Sequence, residues 1–398
     1  MTCAGIRGKS RNIAVLQAGG PTSVFNCSLY GLLKALYRFD DPPRIFGIRN
    51  GAEGFAAGDW FVLDKERPID WLKRLPGAAL GSGRKRMTEE ELEQGIRRLR
   101  QAEIRTVVMM GGNGTMGMIS RLADKADEMG FELQVIGIPK TVDNDLFEMD
   151  HTPGFPSAAK FVAHAVRDVS TDLAAMKNFE QVRVIETMGR NVGWLTAASS
   201  YFKLRPEDPP HLVYVPETTF RMEEMLDEVS EIQKQNGICV VVASEGLKGE
   251  DGRPLMMNGI AGGGRAQSKA LGGVGHLLAG AIHSNLGLSC RYDNLGILQR
   301  CASFLVSDTD RLEAEMLGSR AADLISRGVS GKTVGVRRLS DEPYRWEIVE
   351  IDVRAVEGRE RPLAHRYAPS AGRIDASYRH WLKPFMGTTE QYRSLLPD

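Results

Sequence analysis

The sequence lacks several features that would place it in a specialised class of protein. Its 398 residues include 51 Lys and Arg against 51 Asp and Glu, so no net charge draws it toward nucleic acid or an anionic membrane. No apolar run approaches the roughly 18 residues of a membrane-spanning helix. Residues 1–11 are polar and basic, without the apolar core of a signal peptide, so we expect a cytoplasmic protein.

Cysteine is also scarce, and its spacing predicts neither a disulfide framework nor a zinc site. The five cysteines are scattered and never stand in C-x-x-C spacing, which favours free thiols in a reducing compartment. The hydrophobic and charged fractions, 42% and 26%, exclude a disordered chain. The length predicts two or three lobes, each large enough for its own core.

Glycine, in contrast, is abundant: 43 residues, well above the average usage of about 7%. Short β-branched runs at 12–16, 106–110 and 182–187 each lead into a glycine turn and then into an amphipathic stretch. Strands that alternate with helices in this way predict an α/β fold, with mainly parallel sheets covered by helices. Thr88 and Glu91 form a capping-box pattern that predicts the start of a further helix.

Two glycine loops lie between a predicted strand and a predicted helix, at 17–22 and 111–115. Glycine lets backbone amides approach a ligand, and a helix N-terminus favours an anion. If both loops follow parallel strands, they line one crevice. Each loop alone is also compatible with a simple tight turn, because neither is a G-x-G-x-x-G or a Walker A motif.

The most specific stretch is 139–145, Pro-Lys-Thr-Val-Asp-Asn-Asp, directly after a predicted strand. Lys140 offers a point charge for a phosphate. Asp143 and Asp145 can have separate roles, since one can accept a hydroxyl proton while the other holds Mg²⁺. Alone, the stretch is also compatible with an acidic loop that forms an Asx-turn.

Three further stretches complete the pattern, at 188–194, 244–246 and 291–300. Taken together and in this order, the stretches resemble the phosphofructokinase family over about residues 12–331. The sequences at 19–22 and 150–155 look most like its pyrophosphate-dependent branch. The resemblance implies a two-lobed fold and transfer of a phosphoryl group to the 1-hydroxyl of fructose 6-phosphate, with Mg²⁺.

The resemblance also implies a division of the chain into units. It implies a donor-phosphate-binding lobe at 1–150 and a sugar-phosphate-binding lobe at 151–330, with the chain crossing back between them. Residues 331–398 read as a less regular C-terminal extension. In the family an arginine usually crosses from a neighbouring subunit, so a homodimer or homotetramer is implied.

Roles for single residues follow from the same resemblance. Asp143 matches the base that takes the proton of the sugar hydroxyl, and Asp145 and Asn113 match metal-associated positions. Arg84 matches the arginine that faces the donor phosphates, Lys140 the lysine typical of pyrophosphate users, and Thr141 a residue near the transferred phosphoryl group; all three are candidate catalytic residues. The remaining donor-phosphate positions are Gly19, Gly20, Gly112, Gly114 and Thr115. The sugar-binding positions are Met188, Gly189, Arg190, Glu245, Arg291 and Arg300.

Some positions depart from the family's common pattern. Asn113 replaces a metal-associated Asp. Gly114 replaces the bulky acidic residue with which pyrophosphate users block room for an ATP α-phosphate, so this glycine favours ATP. Gln181 and Ile297 stand where a basic phosphate ligand and a His or Tyr are usual, and Asn191 stands where His is commoner. Each lost contact to a phosphate costs on the order of 1–3 kcal/mol, which weakens the case for fructose 6-phosphate.

Three hypotheses stay open from the sequence. The first is a phosphofructokinase-type phosphotransferase, with pyrophosphate narrowly preferred over ATP as donor. The second is the same chemistry on a related sugar phosphate, and the third is a non-catalytic sugar-phosphate-binding protein. A dinucleotide-dependent oxidoreductase is disfavoured, because no strand leads into G-x-G-x-x-G.

Overall fold

The computed structural model describes residues 12–256 and 272–388. Within this part of the chain, no helix is both long enough and apolar enough to cross a membrane. The cluster of glycines at 262–264, which contributes to the glycine excess, lies outside the described residues.

The described residues form eleven β-strands. They are β1 (Asn12–Gln17), β2 (Ile45–Ile48), β3 (Trp60–Val62), β4 (Ile104–Gly111), β5 (Gln134–Pro139), β6 (Val182–Thr187), β7 (Leu212–Tyr214), β8 (Cys239–Ser244), β9 (Cys290–Asn294), β10 (Lys332–Asp341) and β11 (Tyr344–Asp352).

The same part of the chain contains twelve α-helices. They are α1 (Phe25–Leu36), α2 (Ala52–Ala57), α3 (Glu89–Gln101), α4 (Asn113–Glu128), α5 (Phe155–Ala175), α6 (Trp194–Ala197), α7 (Met222–Asn236), α8 (Val274–Leu286), α9 (Leu298–Cys301), α10 (Asp308–Ser326), α11 (Val353–Val356) and α12 (Ala376–Met386). Short 3₁₀ turns cover Asp70–Lys73, Ala198–Phe202 and Ser303–Leu305.

The strands assemble into two sheets, one in each lobe. The first sheet has the order β11-β10-β5-β4-β1-β2-β3, and its central strands are parallel. Only its two ends are antiparallel, where β3 pairs with β2 and β11 with β10. The second sheet, β7-β8-β6-β9, is parallel throughout.

Each sheet is covered on both faces. The first sheet packs α3 and α4 on one face and α1 and α10 on the other. The second sheet packs α7 and α8 on one face and α5 and α12 on the other. Burial on both faces explains why the strands read as continuous apolar runs. The expected α/β fold of two lobes, with mainly parallel sheets between helices, is confirmed.

Most predicted strands lie within a residue or two of the observed ones, and the capping box at Thr88 is present at the start of α3. The amphipathic stretch after the 182–187 run is not one continuous helix but the short α6 followed by a 3₁₀ turn.

The stretch 331–398, read from the sequence as less regular, contains two long strands. β10 joins the first sheet beside β5, whereas α12 packs against α5 of the second lobe. The chain after residue 330 therefore contributes to both cores. The unit limits at 150 and 330 stay predictions.

Candidate active site

The glycine loops meet at the carboxyl edge of the first sheet. β5, β4 and β1 are neighbours, so the loops that follow them lie side by side. The backbone amide of Lys140 donates to the carbonyl of Gly111, and that of Ala18 donates to the carbonyl of Met110. The predicted crevice between the two glycine loops and the 139–145 loop is therefore present.

The Gly19–Gly20 loop lies directly against three cations. A Cβ on Gly19 would stand 2.9 Å from Nζ of Lys140, and Gly19 also has a φ of +82° that other residues rarely adopt. A Cβ on Gly20 would stand 2.5 Å from Nη1 of Arg300 and 3.3 Å from Nη2 of Arg84. A side chain at either position would displace the ends of these cationic side chains.

Lys140 is buried, with 6% of its surface exposed. Burial lowers the pKa of its ammonium to about 8, although Asp143 and Asp145 oppose the shift. Burial also lowers the pKa of Arg300, and the charge of Arg84 adds to that effect. Cations held close enough to repel one another favour an anion between them, and a phosphate fits that charge.

The two aspartates of the 139–145 loop lie within the electrostatic field of these cations. Burial, together with the charges of Asp145 and Glu245, raises the pKa of Asp143 to about 7, against the opposing charges of Lys140 and Arg84. Burial likewise raises the pKa of Asp145. A carboxylate with a pKa near the working pH is well suited to accept a proton.

Asn144 separates the two aspartates and adopts a left-handed conformation, with a φ of +60°. Its side-chain oxygen accepts a hydrogen bond from the amide of Thr152 at 3.1 Å, and the Thr152 hydroxyl donates to the carbonyl of Thr141. These contacts hold an unfavourable backbone conformation in place. The 150–154 segment thus supports the loop that carries both aspartates. This supporting role was not predicted from the sequence.

A divalent metal fits this site when a phosphorylated donor is bound. One side-chain oxygen of Asp145 is buried and has no hydrogen-bond partner. Among the described residues, no group of three or more His, Cys, Asp or Glu could hold a metal alone. Mg²⁺ commonly takes only one or two carboxylates and completes its shell with water and substrate phosphates. Asp145 is therefore the residue that fits the metal best.

The side chain of Asn113, which the resemblance matches to a metal-associated position, forms two hydrogen bonds with the backbone. Its side-chain oxygen accepts a hydrogen bond from the amide of Gly358 at 3.0 Å, and its side-chain nitrogen donates to the carbonyl of Arg359 at 2.6 Å. Both polar groups of the side chain are thus engaged with the backbone of a distant segment. Gly114 beside it is exposed, and a Cβ there would meet no atom within 4 Å.

The predicted sugar loops come from the second lobe. The amide of Met188 donates to the side chain of Gln299 at 2.9 Å, which ties the loop after β6 to the helix that carries Arg300. The hydroxyl of Ser244 donates to the carbonyl of Gly189. Burial raises the pKa of Glu245, opposed by a backbone hydrogen bond from Gly189 and by the charges of Arg190 and Arg84. The loops after β6 and β8 and the helix that carries Arg300 thus meet at the carboxyl edge of the second sheet, with Glu245 in the electrostatic field of Arg84.

Arg291 does not lie with them. It is exposed near the start of β9, where its guanidinium stacks over Phe179 and lies 3.5 Å from a carboxylate oxygen of Glu180. Arg291 is paired with Arg183 of β6. Arg183 lies five residues before Met188, which corresponds to a distance of about 16 Å along the strand. The structure therefore separates Arg291 from the cleft of its own chain.

The structure also describes Gln181 and Ile297, two residues that depart from the family's common pattern for binding the sugar phosphate. Gln181 accepts a hydrogen bond from the amide of Ser289 at 2.8 Å, so its side chain joins two strands instead of facing the cleft. Ile297 is 54% exposed just before α9. Neither residue offers a cation to an anionic group of the sugar.

A buried charge network lies beneath the supporting 150–154 segment. His151 contacts Asp150 at 2.8 Å and Glu313 at 2.6 Å, and Asp150 also accepts from Arg338 at 3.1 Å. Burial alone would lower the pKa of His151, but Glu313 and Asp150 outweigh it and raise the pKa to about 9. The imidazolium is therefore the stable form of this histidine below that pH.

This network predicts how stability depends on pH. Because the folded-state pKa of His151 is raised, its contribution is complete below the ordinary pKa and is lost as pH rises through about 9. Replacing His151 by Gln is expected to lower the free energy of unfolding by about 3 kcal/mol at pH 6 and by much less at pH 10. Urea unfolding at both pH values measures this, with the exposed His276→Gln as control. An equal loss at both pH values would contradict the assignment.

Comparison with known proteins identifies the family. The model of the family described as Phosphofructokinase matches residues 12–325. The chain belongs to the phosphofructokinase family. It is 40% identical over 374 residues, 93% of this chain and 94% of the relative, to a sulfofructose kinase of Alkalicoccus urumqiensis. It is 34% identical over 385 residues, 94% and 91%, to a pyrophosphate–fructose 6-phosphate 1-phosphotransferase of Halomonas elongata.

Solved structures agree with this membership. A pyrophosphate-dependent phosphofructokinase of Marinobacter aquaeolei matches with a TM-score of 0.85 and 30% identity, covering 98% of this chain and 95% of that one. The resemblance inferred from the sequence is thus confirmed, and the protein is a phosphofructokinase-type phosphotransferase. Enzymes of the family generally need a divalent metal.

Proposed function

We propose that this phosphofructokinase transfers a phosphoryl group from pyrophosphate to the 1-hydroxyl of fructose 6-phosphate. The observation that carries the proposal is the position of Lys140, Arg84 and Arg300 against the Gly19–Gly20 loop, across from Asp143. Several relatives named as pyrophosphate-dependent enzymes support the choice of donor.

Phosphoryl transfer depends on positioning the reactants and neutralising charge more than on covalent catalysis by the protein. Asp143 accepts the proton of the attacking hydroxyl. Lys140 and Arg84 stabilise the charge that spreads over the transferred phosphoryl group, and the amide groups of the glycine loops orient the donor. Asp145 holds Mg²⁺, which neutralises donor phosphate charge when bound.

A second candidate is an ATP-dependent kinase that acts on sulfofructose. Two observations favour it. Gln181 and Ile297 offer no cation to the anionic end of the sugar, and a sulfonate carries only one negative charge, so it needs fewer cations than a phosphate. The open space at Gly114 leaves room for a nucleotide, and one relative is named a sulfofructose kinase.

An assay with two donors and two acceptors tests the proposal. Pyrophosphate and ATP are each supplied with fructose 6-phosphate and with sulfofructose, and kcat/KM is measured for all four pairs. We expect the highest value for pyrophosphate with fructose 6-phosphate. A higher value for ATP with sulfofructose would replace the proposal by the second candidate, and no turnover of any pair would overturn both.

Replacing Gly114 by Asp tests the donor preference within one active site. Space for the side chain is available, and an acidic residue is favourable in the first turn of a helix, so the fold is expected to persist. The added bulk and charge oppose an ATP α-phosphate. We expect kcat/KM for ATP to fall at least about tenfold, the equivalent of 1.4 kcal/mol, while that for pyrophosphate stays within about twofold.

Gly114→Ala is the matched control, since it adds a side chain without charge. Parallel losses with both donors in Gly114→Asp would show that the position does not select the donor.

We also propose a homo-oligomer, a dimer or a tetramer, in which Arg291 serves the site of a neighbouring copy. Its exposure and its separation from the cleft of its own chain support this. The cytoplasm stays the proposed location. Light scattering tests the assembly, and a monomer at assay concentration that is fully active would contradict it.

A further inference from the structure

The segment 357–361 contacts three loops around the cleft, at 111–115, at 139–145 and after β6. It follows α11 and was not recognised in the sequence as part of the site. Its backbone contacts both polar groups of the Asn113 side chain at the start of α4. Further along, the amide of Arg361 donates to the carbonyl of Asp145 at 2.9 Å, and Glu360 pairs with Leu146 in an isolated bridge.

The second lobe holds the same segment. The side-chain nitrogen of Asn191 donates to a carboxylate oxygen of Glu360 at 2.5 Å. The indole nitrogen of Trp194 donates to the carbonyl of Arg361 at 2.9 Å, and the Arg361 guanidinium stacks over the Trp194 ring at 4.0 Å. One short segment thus contacts three loops, which we call the donor loop (111–115), the aspartate loop (139–145) and the sugar loop (188–194).

Two asparagines are chemically suited to these contacts. Asn113 must accept from the amide of Gly358 and donate to the carbonyl of Arg359, and among side chains of that size only an amide does both. An aspartate at 113 would turn a carboxylate oxygen toward the Arg359 carbonyl. An aspartate at 191 would place a second negative charge against Glu360.

We propose that residues 357–361 form a positioning strap that fixes the donor loop, the aspartate loop and the sugar loop relative to one another. Asn113 and Asn191 are its anchors, one in each lobe. Asn113 is thus a positioning residue that acts through the strap. The kinetic consequence rests on the proposed function, because it requires that donor and acceptor bind on the two sides that the strap joins.

A charge-exchange pair tests the strap. Asn191→Asp puts two carboxylates together and should release the segment. Adding Glu360→Gln to it restores one donor and one acceptor, since the glutamine amide can donate to the new carboxylate. Glu360→Gln alone keeps the original hydrogen bond from Asn191, and Glu347→Gln on β11 removes a carboxylate elsewhere as the control.

Two readouts are measured on the full chain. Hydrogen–deuterium exchange of the peptide around 357–363 reports the amides of Gly358, Arg361 and Leu363, all of which are hydrogen-bonded in the structure. Steady-state kinetics report the KM for donor and for acceptor. In Asn191→Asp we expect faster exchange in this peptide and an increase of about tenfold in both KM values, and in the double variant we expect both to return near wild type.

Each outcome decides a separate part of the proposal. If the carboxylate introduced by Asn191→Asp acted directly on the sugar anion, Glu360→Gln would not restore the acceptor KM, and that result overturns the proposal. Unchanged exchange in Asn191→Asp shows that this residue does not anchor the segment. Faster exchange with unchanged KM values overturns the positioning role. If wild type phosphorylates neither acceptor, the proposed function fails, and the exchange experiment still decides whether the anchors hold the strap.

Discussion

Replacing Asp143 by Asn is expected to lower kcat by about 10³- to 10⁴-fold, the upper part of the range for loss of a general base. The amide has the same shape but cannot take the proton of the sugar hydroxyl. Binding depends mainly on the cations, so the KM values for donor and acceptor should change little. Steady-state kinetics with the preferred donor and acceptor measure the loss.

The same substitution should not destabilise the fold. Burial raises the pKa of Asp143 to about 7, so its charged form is unfavourable in the folded state and its stability contribution is lost as pH rises through that value. The neutral amide removes this cost. We expect the midpoint of thermal unfolding at pH 8 to stay equal or rise. Asp127→Asn, an exposed aspartate of α4, is the matched control for activity. A variant that keeps more than about a tenth of wild-type kcat would remove Asp143 from the role of base.

Replacing Lys140 by Met has the second largest expected effect. The ammonium lies against Gly19 and is buried, so water cannot take its place in neutralising the donor. We expect kcat/KM for the donor to fall by about 10²- to 10³-fold, the size of effect seen when one preorganised electrostatic contact is removed. The acceptor KM should change by less than about threefold, because Lys140 lies against the Gly19–Gly20 loop and not against the sugar loop.

Lys140→Arg should not restore activity. A guanidinium is larger than an ammonium, and the nitrogen of this buried lysine already lies against Gly19. Lys65→Met, at an exposed lysine, is the control for loss of a positive charge. Full activity in Lys140→Arg would show that only charge matters at this position. A larger change in the acceptor KM than in the donor value would place Lys140 on the sugar side.

Local sequence patterns predicted the elements that position the site. The apolar runs before Gly19, Gly111 and Lys140 are strands because parallel strands are buried on both faces. The capping box at Thr88 is local as well, since its two hydrogen bonds join residues three apart. Adjacent parallel strands then bring their following loops together, which placed Lys140, Asp143 and Asp145 beside the two glycine loops.

Contacts between distant residues were not predictable in the same way. Asn113 bonds to backbone groups 245 and 246 residues away, and a backbone amide leaves no signal in the sequence. The support of Asn144 by Thr152 was unpredictable for the same reason, because the backbone amide of Thr152 donates to the side-chain oxygen of Asn144. A further signal was available for β10 and β11, which alternate polar and apolar residues over part of their length, but the many charges of their exposed face obscured it.

We propose that this phosphofructokinase phosphorylates the 1-hydroxyl of a fructose that carries an anionic group. ³¹P and ¹³C NMR of the product that the enzyme makes from pyrophosphate and fructose 6-phosphate tests this proposal. We expect a new phosphate monoester coupled to carbon 1, formed together with one equivalent of inorganic phosphate, and no such product with Asp143→Asn. A phosphate on another carbon, or release of inorganic phosphate without a new sugar ester, would contradict it.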